Sequence, residues 1–401
     1  MVEGALSQIS FRDDPTHGHV FATILTRGPL SRRDVARITG LSQSTVSKAV
    51  KPMLAAGYLV EGSEAAQGPG RPVIPLTVNT ERHYAVGLKV SEHEAVGVVT
   101  DPQARVLADA RAPFDSPTVE ELVELVAGLV DGLRSQRPEF GSEIEGLGLC
   151  LGGHVDGRSG VLRYSPMFGW RDVPLASLLE VRTGLVTVVE NDVNALTVAE
   201  QWFGAGRGFE QFAVVTVGAG IGCGLIVDGE LLHGASGMAG ELGHVTVVPE
   251  GALCRCGKRG CLETVAADDA ILETIAAGSS HAPTTITEAA ALARAGDAAA
   301  REAFAKAGEA LGQAIASLVN LVEPSRIVLS GEGIVASDLL TDSLVDALRR
   351  HSFGGVADRL EIVSRPLADE TWARGAAANV IRRLIARPAV ARAGTVVPQR
   401  R

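Results

Sequence analysis

Gly240-Glu241-Leu242-Gly243-His244, followed by Cys254-Arg255-Cys256-Gly257-Lys258-Arg259-Gly260-Cys261-Leu262-Glu263, is the stretch from which the rest of the chain is best read. Three of the five cysteines fall between positions 254 and 261, beside glycines that let the backbone turn back on itself, and a histidine precedes them by ten positions. His244, Cys254, Cys256 and Cys261 make a Cys₃His set, the closed tetrahedral environment of a structural zinc ion. The competing readings are a Gly-rich loop that holds cysteines by chance, or a disulfide. A net-acidic chain with no signal peptide points to a reducing cytoplasm, where clustered cysteines bind metal more often than they cross-link.

The polar residues around the cluster carry a second message. Glu241 and His244 are three apart, so a helical turn would put them on one face, and Glu263 lies two residues past the last thiolate. A metal-bound imidazole keeps a second ring nitrogen for hydrogen bonding, and the metal fixes the ring's direction. Two carboxylates and an oriented imidazole are a set able to ring a small polyhydroxylated ligand. Either glutamate alone would read as a solvated surface charge.

Glu-x-Gly-His followed by Cys-x-Cys-Gly-x-x-Gly-Cys-x-Glu resembles the signature of the ROK family, which comprises sugar kinases and sugar-responsive repressors. The resemblance takes in Glu190-Asn191-Asp192-Val193-Asn194-Ala195 and Val217-Gly218-Ala219-Gly220-Ile221-Gly222-Cys223-Gly224, and covers roughly residues 80 to 385. It implies a hexokinase-like pair of lobes of the actin-like ATPase class, with a sugar held by Asn191, Asp192, Glu241, His244 and Glu263. In the kinases of the family the residue matching Asp192 is the catalytic base. Gly153 and His154 are further candidates for contacts that tell one sugar from another.

A chain of 401 residues is too long for one typical core, so two or three domains are expected. No apolar run approaches the roughly twenty residues that span a bilayer, and the acidic N-terminus is no signal peptide. These features predict a soluble, cytoplasmic protein. The net charge of −10 is unevenly spread: residues 1–80 hold eight Lys/Arg against six Asp/Glu, leaving 29 basic and 41 acidic groups for the remainder. Only the N-terminal segment has a charge balance that tolerates a phosphate backbone.

That segment reads as a winged helix-turn-helix. Val20, Phe21, Ile24 and Leu25 recur at helical spacing until Gly28-Pro29 ends the run. Ser31-Arg32-Arg33-Asp34 reads as a capping box opening a short second helix. Ser42 caps a third helix that turns Val46, Val50 and Leu54 inward and stops at Gly57. The outward side of the third helix offers Gln43, Ser44, Thr45, Ser47 and Lys48, suited to base edges and phosphates. Strands at Tyr58–Glu61 and Val73–Leu76 would form a wing, with Arg71 on its tip placed to enter a minor groove or clasp a phosphate. Three-helix units also serve as protein-interaction modules; the wing and the resemblance to ROK repressors favour DNA.

From Tyr84 the pattern turns to strands at Tyr84–Val90, Ala95–Asp101 and Val106–Arg111, a helix at Val119–Leu133, then strands at Ile144–Leu151 and Leu185–Glu190 and a helix from Asn194. The succession begins again at Phe212 and closes with a helix from Thr371, which predicts two related α/β lobes with a ligand cleft between them. The expected division is a DNA-binding domain over 1–80 and a sugar-binding body over 81–386. Lobe one takes about 81–203 and the C-terminal helix, lobe two about 204–370 with the zinc site. Residues 387–401 lack a buried stripe and are expected to fray.

Phosphoryl transfer needs magnesium and donors around the phosphates. In this fold class the first strand hairpin supplies an Asp-x-Gly-x-Thr pattern, where this chain has Lys89 in place of the Asp. Ala219 replaces a hydroxyl residue of the second phosphate loop, and Glu332 puts a charge where glycines would admit an adenosine. The sugar side is complete and the nucleotide side is not. The expectation is a transcriptional regulator, a repressor that is not an enzyme, which senses a sugar and binds a double-stranded palindromic operator as a homodimer or homotetramer. The rival is an active sugar kinase with an added DNA-binding domain. A DNA-binding zinc finger is disfavoured because acidic Glu263, Asp268 and Asp269 follow Cys261.

Overall fold

The computed structural model describes residues 14–62, 74–367 and 370–385. The N-terminal unit holds α1 (Pro15–Arg27), α2 (Arg32–Thr39) and α3 (Gln43–Ala55). Asp14, Ser31 and Ser42 cap them, each accepting a hydrogen bond from a free amide of the first turn. The capping box at Ser31 is one-sided, since the Asp34 carboxylate accepts the Ser31 hydroxyl at 2.6 Å. Val20, Ile24, Val35, Val46, Val50 and Met53 close the core of this unit.

β1 (Leu59–Glu61) pairs antiparallel with β2 (Leu76–Val78), Leu59 opposite Val78. Val73 of the predicted second wing strand, Val73–Leu76, lies outside the described residues, and among those described the pairing begins at Leu76. Pro75 has no N–H to give a ladder, although its carbonyl accepts from Gly62 at 2.8 Å. The wing tip with Arg71, and the tail from residue 387, lie outside the described residues.

Lobe one runs β3 (Tyr84–Val90), β4 (Glu94–Thr100), β5 (Val106–Pro113), α4 (Val119–Ser135), α5 (Phe140–Glu143) and β6 (Ile144–Leu151). There follow three short strands, β7 (His154–Asp156), β8 (Val161–Tyr164) and β9 (Arg171–Val173), then α6 (Leu175–Thr183), β10 (Thr187–Asn191) and α7 (Asp192–Phe203). Its sheet has the order β10-β6-β3-β4-β5, with β3 parallel to β6 and antiparallel to β4.

Lobe two runs β11 (Phe212–Val217), β12 (Ile221–Val227), β13 (Glu230–Leu231), α8 (Glu263–Ala266), α9 (Asp268–Gly278), α10 (Ile286–Ala295), α11 (Ala298–Val322), β14 (Arg326–Ser330), α12 (Ser337–His351) and β15 (Glu361–Ser364). The order β13-β12-β11-β14-β15 repeats that of lobe one, an antiparallel meander continued by parallel strands. Two related lobes are what the succession of elements predicts.

α13 (Glu370–Ile385) returns to lobe one and lies with α7 between the two sheets. Small residues let it touch backbone. A β-carbon at Gly87 would stand 2.0 Å from the Ala373 carbonyl, one at Gly148 2.0 Å from that of Ala376, and one at Gly375 2.8 Å from that of Ala195 on α7. The far end of α13 reaches the N-terminal unit, where Val380, Ile381 and Ile385 join the core around Phe21 and Gly18 has no room for a side chain beside the Ile385 carbonyl. Gly148→Ala is expected to lower unfolding free energy by about 3 kcal/mol or more, because neither backbone can yield. Urea denaturation followed by circular dichroism measures it, and an unchanged midpoint would contradict this packing.

Candidate metal centre and ligand cleft

The loop after β13 turns at Gly240 with φ +89°, and a β-carbon there would lie 2.0 Å from the Cys223 carbonyl, so a glycine is what lets the loop press on β12. A single 3₁₀ turn over Leu242–His244 follows. Bridges between Thr246 and Cys261 and between Leu253 and Arg259 fold the cysteine segment back beside it. The result brings together all four predicted ligands: the donor atoms of His244, Cys254, Cys256 and Cys261 lie within 4.8 Å of one another. His244 Nδ1 is 3.6 Å from Cys254 Sγ, and Cys256 Sγ is 3.6 Å from Cys261 Sγ. Those edges fit a tetrahedron around an ion bound at ~2.3 Å, whose sulfur–sulfur edge is ~3.8 Å. All five cysteines are free thiols.

The other predicted ligand-site residues converge on the start of β12. Glu241 Oε2 lies 4.0 Å from His244 Nε2, in a 3₁₀ turn where the sequence suggests a helical one. The Glu263 carboxylate approaches His244 Nδ1 to 3.7 Å, and its Oε1 accepts from the Ile221 amide at 3.2 Å. From lobe one, Asn191 caps α7 by accepting from Val193 and Asn194, while its Nδ2 donates to the Gly153 carbonyl at 3.1 Å. Gly153 has φ +125°, with Tyr164 backbone against its Cα. Val193, next to Asp192, packs where Gly222 leaves space. Asn191 and Asp192 thus both satisfy amides at the start of α7, Asp192 through Oδ1 to its neighbour Val193. His154 points away, donating from Nε2 to the Ser236 carbonyl.

One arrangement has no signal in the sequence. Lys89, at the end of β3, donates from Nζ to Asp192 Oδ2 and also stands 4.9 Å from the centre of the Trp372 ring. Burial opposes the ammonium's charge, but Asp192 and the more distant acids outweigh it and hold its pKa above the ordinary lysine value. The Asp192 carboxylate is therefore bound to a cation.

The turn between β11 and β12 lies beside acidic side chains. The turn between β11 and β12 closes through Gly218 N–H to the Gly220 carbonyl, and the Glu332 carboxylate lies 2.6 Å from where a β-carbon of Gly218 would be. Asp268 donates its amide to the Gly218 carbonyl, and among the described residues its buried Oδ1 has no hydrogen-bond partner.

On α3, Gln43, Ser44, Ser47 and Lys48 are exposed and Thr45 is half-buried. The Ser44 and Thr45 hydroxyls are drawn into the Ser42 cap at 2.9 and 2.8 Å. Lys51, absent from the predicted set, is exposed one turn beyond Ser47 and Lys48. Its spacing of three and four from them is the signal that would have found it.

Residues 85–383 match the ROK family, and residues 14–71 match the MarR family. The chain belongs to the ROK family. This ROK protein is 28% identical to the DNA-binding transcriptional repressor Mlc of Escherichia coli (strain K12), over 90% of this chain and 91% of the relative. It is 26% identical to the Xylose repressor of Bacillus subtilis (strain 168), over 89% and 92%. Its fold superposes on a crystal structure of a ROK family transcriptional regulator, a homologue of E. coli Mlc, with TM-score 0.82, 25% identity, and coverage of 94% of this chain and 96% of the other. The body alone resembles a ROK family glucokinase from Streptomyces griseus in complex with glucose and AMPPNP, with TM-score 0.63, 29% identity and coverage of 73% and 98%. Among the described residues no helix is long and apolar enough to cross a membrane.

Burial, then Glu332 and Asp269, pushes the Asp268 carboxyl up to about 6. A carboxyl that holds its proton more tightly when folded contributes stability in full below its unfolded pKa near 4, and that contribution is lost as pH rises through 6. Asp268→Asn is expected to raise stability at pH 7.5 by about 2 kcal/mol and to flatten its fall between pH 4 and 7, in denaturant titrations at several pH values. A variant whose pH profile matched the native one would refute this.

Proposed function

We propose that this chain is a sugar-responsive DNA-binding transcriptional regulator, a repressor, whose cleft senses a neutral sugar and does not phosphorylate it. The observation that carries this reading is the Lys89–Asp192 ion pair in a body attached to a winged helix-turn-helix. A base must take a proton from a sugar hydroxyl during transfer. Here that carboxylate is paired with an ammonium, on the strand where magnesium would need an acidic ligand. Glu332 and Asp268 then oppose phosphates at the Gly218 turn by like charge.

The sugar-binding set is Asn191, Asp192, Gly153, Glu241, His244 and Glu263. Zinc, held by His244, Cys254, Cys256 and Cys261, fixes the direction of the imidazole and the course of the loop. Residues 1–80 carry the DNA contacts, with Gln43, Ser44, Thr45, Ser47, Lys48 and Lys51 in the major groove and Arg71 on the wing. The body over 81–386 carries the ligand. One short reading helix covers few base pairs, so a homodimer or homotetramer on a two-fold operator follows. The relatives named as repressors, one of them for xylose, support a sugar as the effector.

Cys256→Ser is expected to lower zinc content well below one ion per chain and to blunt sugar binding, measured by elemental analysis beside calorimetry. Full loading after that change would remove Cys256 from the metal set. The functional test is a coupled phosphosugar assay with ATP and magnesium over a sugar panel, run beside operator titrations with the same sugars. Binding without ATP and no turnover are expected, and Asp192→Asn should weaken sugar binding roughly tenfold or more while leaving ligand-free operator affinity unchanged. Robust turnover lost in Asp192→Asn would make the protein a kinase.

A further inference from the structure

Two histidines outside the set above cross between the lobes. His233 follows β13 in lobe two, and its Nε2–H donates to Glu190 Oε2 in lobe one at 2.8 Å. His154 opens β7 in lobe one, and its Nε2–H donates to the Ser236 carbonyl in lobe two at 2.6 Å. Gly237 closes the contact: at φ +89°, a β-carbon there would stand 2.6 Å from the Val155 carbonyl. Each lobe gives the other one imidazole.

Glu190 is a carboxylate only 4% exposed, and a charge so buried needs donors on both oxygens. Oε1 receives the Asn191 amide at 2.9 Å and Asn194 Nδ2 at 3.2 Å. Among the described residues, Oε2 receives only His233. Gly157 leaves no room for a side chain beside that oxygen. The residue that Glu190 steadies through Oε1 is the one whose side chain caps α7 and binds Gly153, next to Asp192.

We infer that His233 is a positioning residue for the Asn191–Asp192 site, so that the order of the ligand-facing dipeptide in lobe one depends on closure of lobe two. When the lobes part, Glu190 Oε2 loses its donor, and the carboxylate no longer has a fixed seat from which to hold Asn191 and Asn194. The inference rests on the reading of Asn191 and Asp192 as ligand residues. It assigns the resting cleft to a state in which the ligand-binding geometry is assembled by contacts between lobes.

The test is amide hydrogen exchange by mass spectrometry on the full-length chain without ligand, read in peptides covering 188–196 and in α11. His233→Ala is expected to speed exchange at 188–196 about tenfold and leave α11 unchanged. His233→Gln, whose side-chain amide can donate to the same oxygen, should restore most of the protection. Gly237→Ala keeps the donor but pushes the lobe-two loop off Val155, and should speed the same peptide. Unchanged exchange in His233→Ala, no rescue by Gln, or loss of protection spread through α11 would overturn the inference. If His233→Ala does not fold, an unchanged 188–196 peptide in Gly237→Ala overturns it alone. A chain that bound no sugar would still give these exchange rates, so failure of the sensing reading is distinguishable.

Discussion

Helix α13 is held by backbone against backbone, and most of the architecture depends on that contact. Gly87 and Gly148 lie on adjacent strands of the lobe-one sheet, and both leave space for the α13 backbone. Gly375 on the helix itself does the same toward α7. Such close approach excludes side chains, so the helix cannot slide or rotate without a collision. The same helix carries Trp372 beside Lys89 at one end and Ile385 against α1 at the other. The ligand lobe and the DNA-reading unit thus share one element.

On the sensing reading proposed above, the cleft keeps the sugar half of a phosphotransferase and replaces the nucleotide half. On the sugar side, hydrogen bonds hold three of the predicted residues: Asn191 by its cap and Gly153, Glu263 by the Ile221 amide, His244 by the thiol of Cys254 beside it. On the nucleotide side, Lys89 and Glu332 bring charges of the wrong sign for magnesium and for phosphate, respectively. Asp268 adds a carboxyl that is raised by its own burial and by Glu332. Selection for transfer would penalise such a cluster, because like charges near a transferring phosphoryl group raise the barrier. Sensing carries no such penalty, since a neutral ligand needs only donors and acceptors in place.

Legibility in the sequence followed the range of the interaction. β3, β6 and β11 run where alternation and β-branched residues put them, Tyr84–Val90, Ile144–Leu151 and Phe212–Val217, because their side chains meet a sheet environment set locally. The helix caps were readable for the same reason, as Ser31 and Ser42 satisfy amides three residues away. The three-stranded sheet β7–β9 was not: its strands are three or four residues long and carry too short a period to register. Helices α9 and α10 were not legible either: the buried face of α10 is Ala289, Ala290 and Ala293, residues that contrast little with an exposed alanine face.

The family, the His/Cys cluster able to hold a metal ion and the repeat of two lobes were all legible in the residues alone, because each rests on residue types at fixed short spacing. The sequence also identified Lys89 and Glu332 as out of place. Only the tertiary structure decided what those residues do. Lys89 meets Asp192 across 103 positions of chain, and His233 meets Glu190 across 43. No local pattern encodes such pairs, since their partners are chosen by how sheets and helices stack, and a charge in a strand looks the same in sequence whether it faces water or a carboxylate.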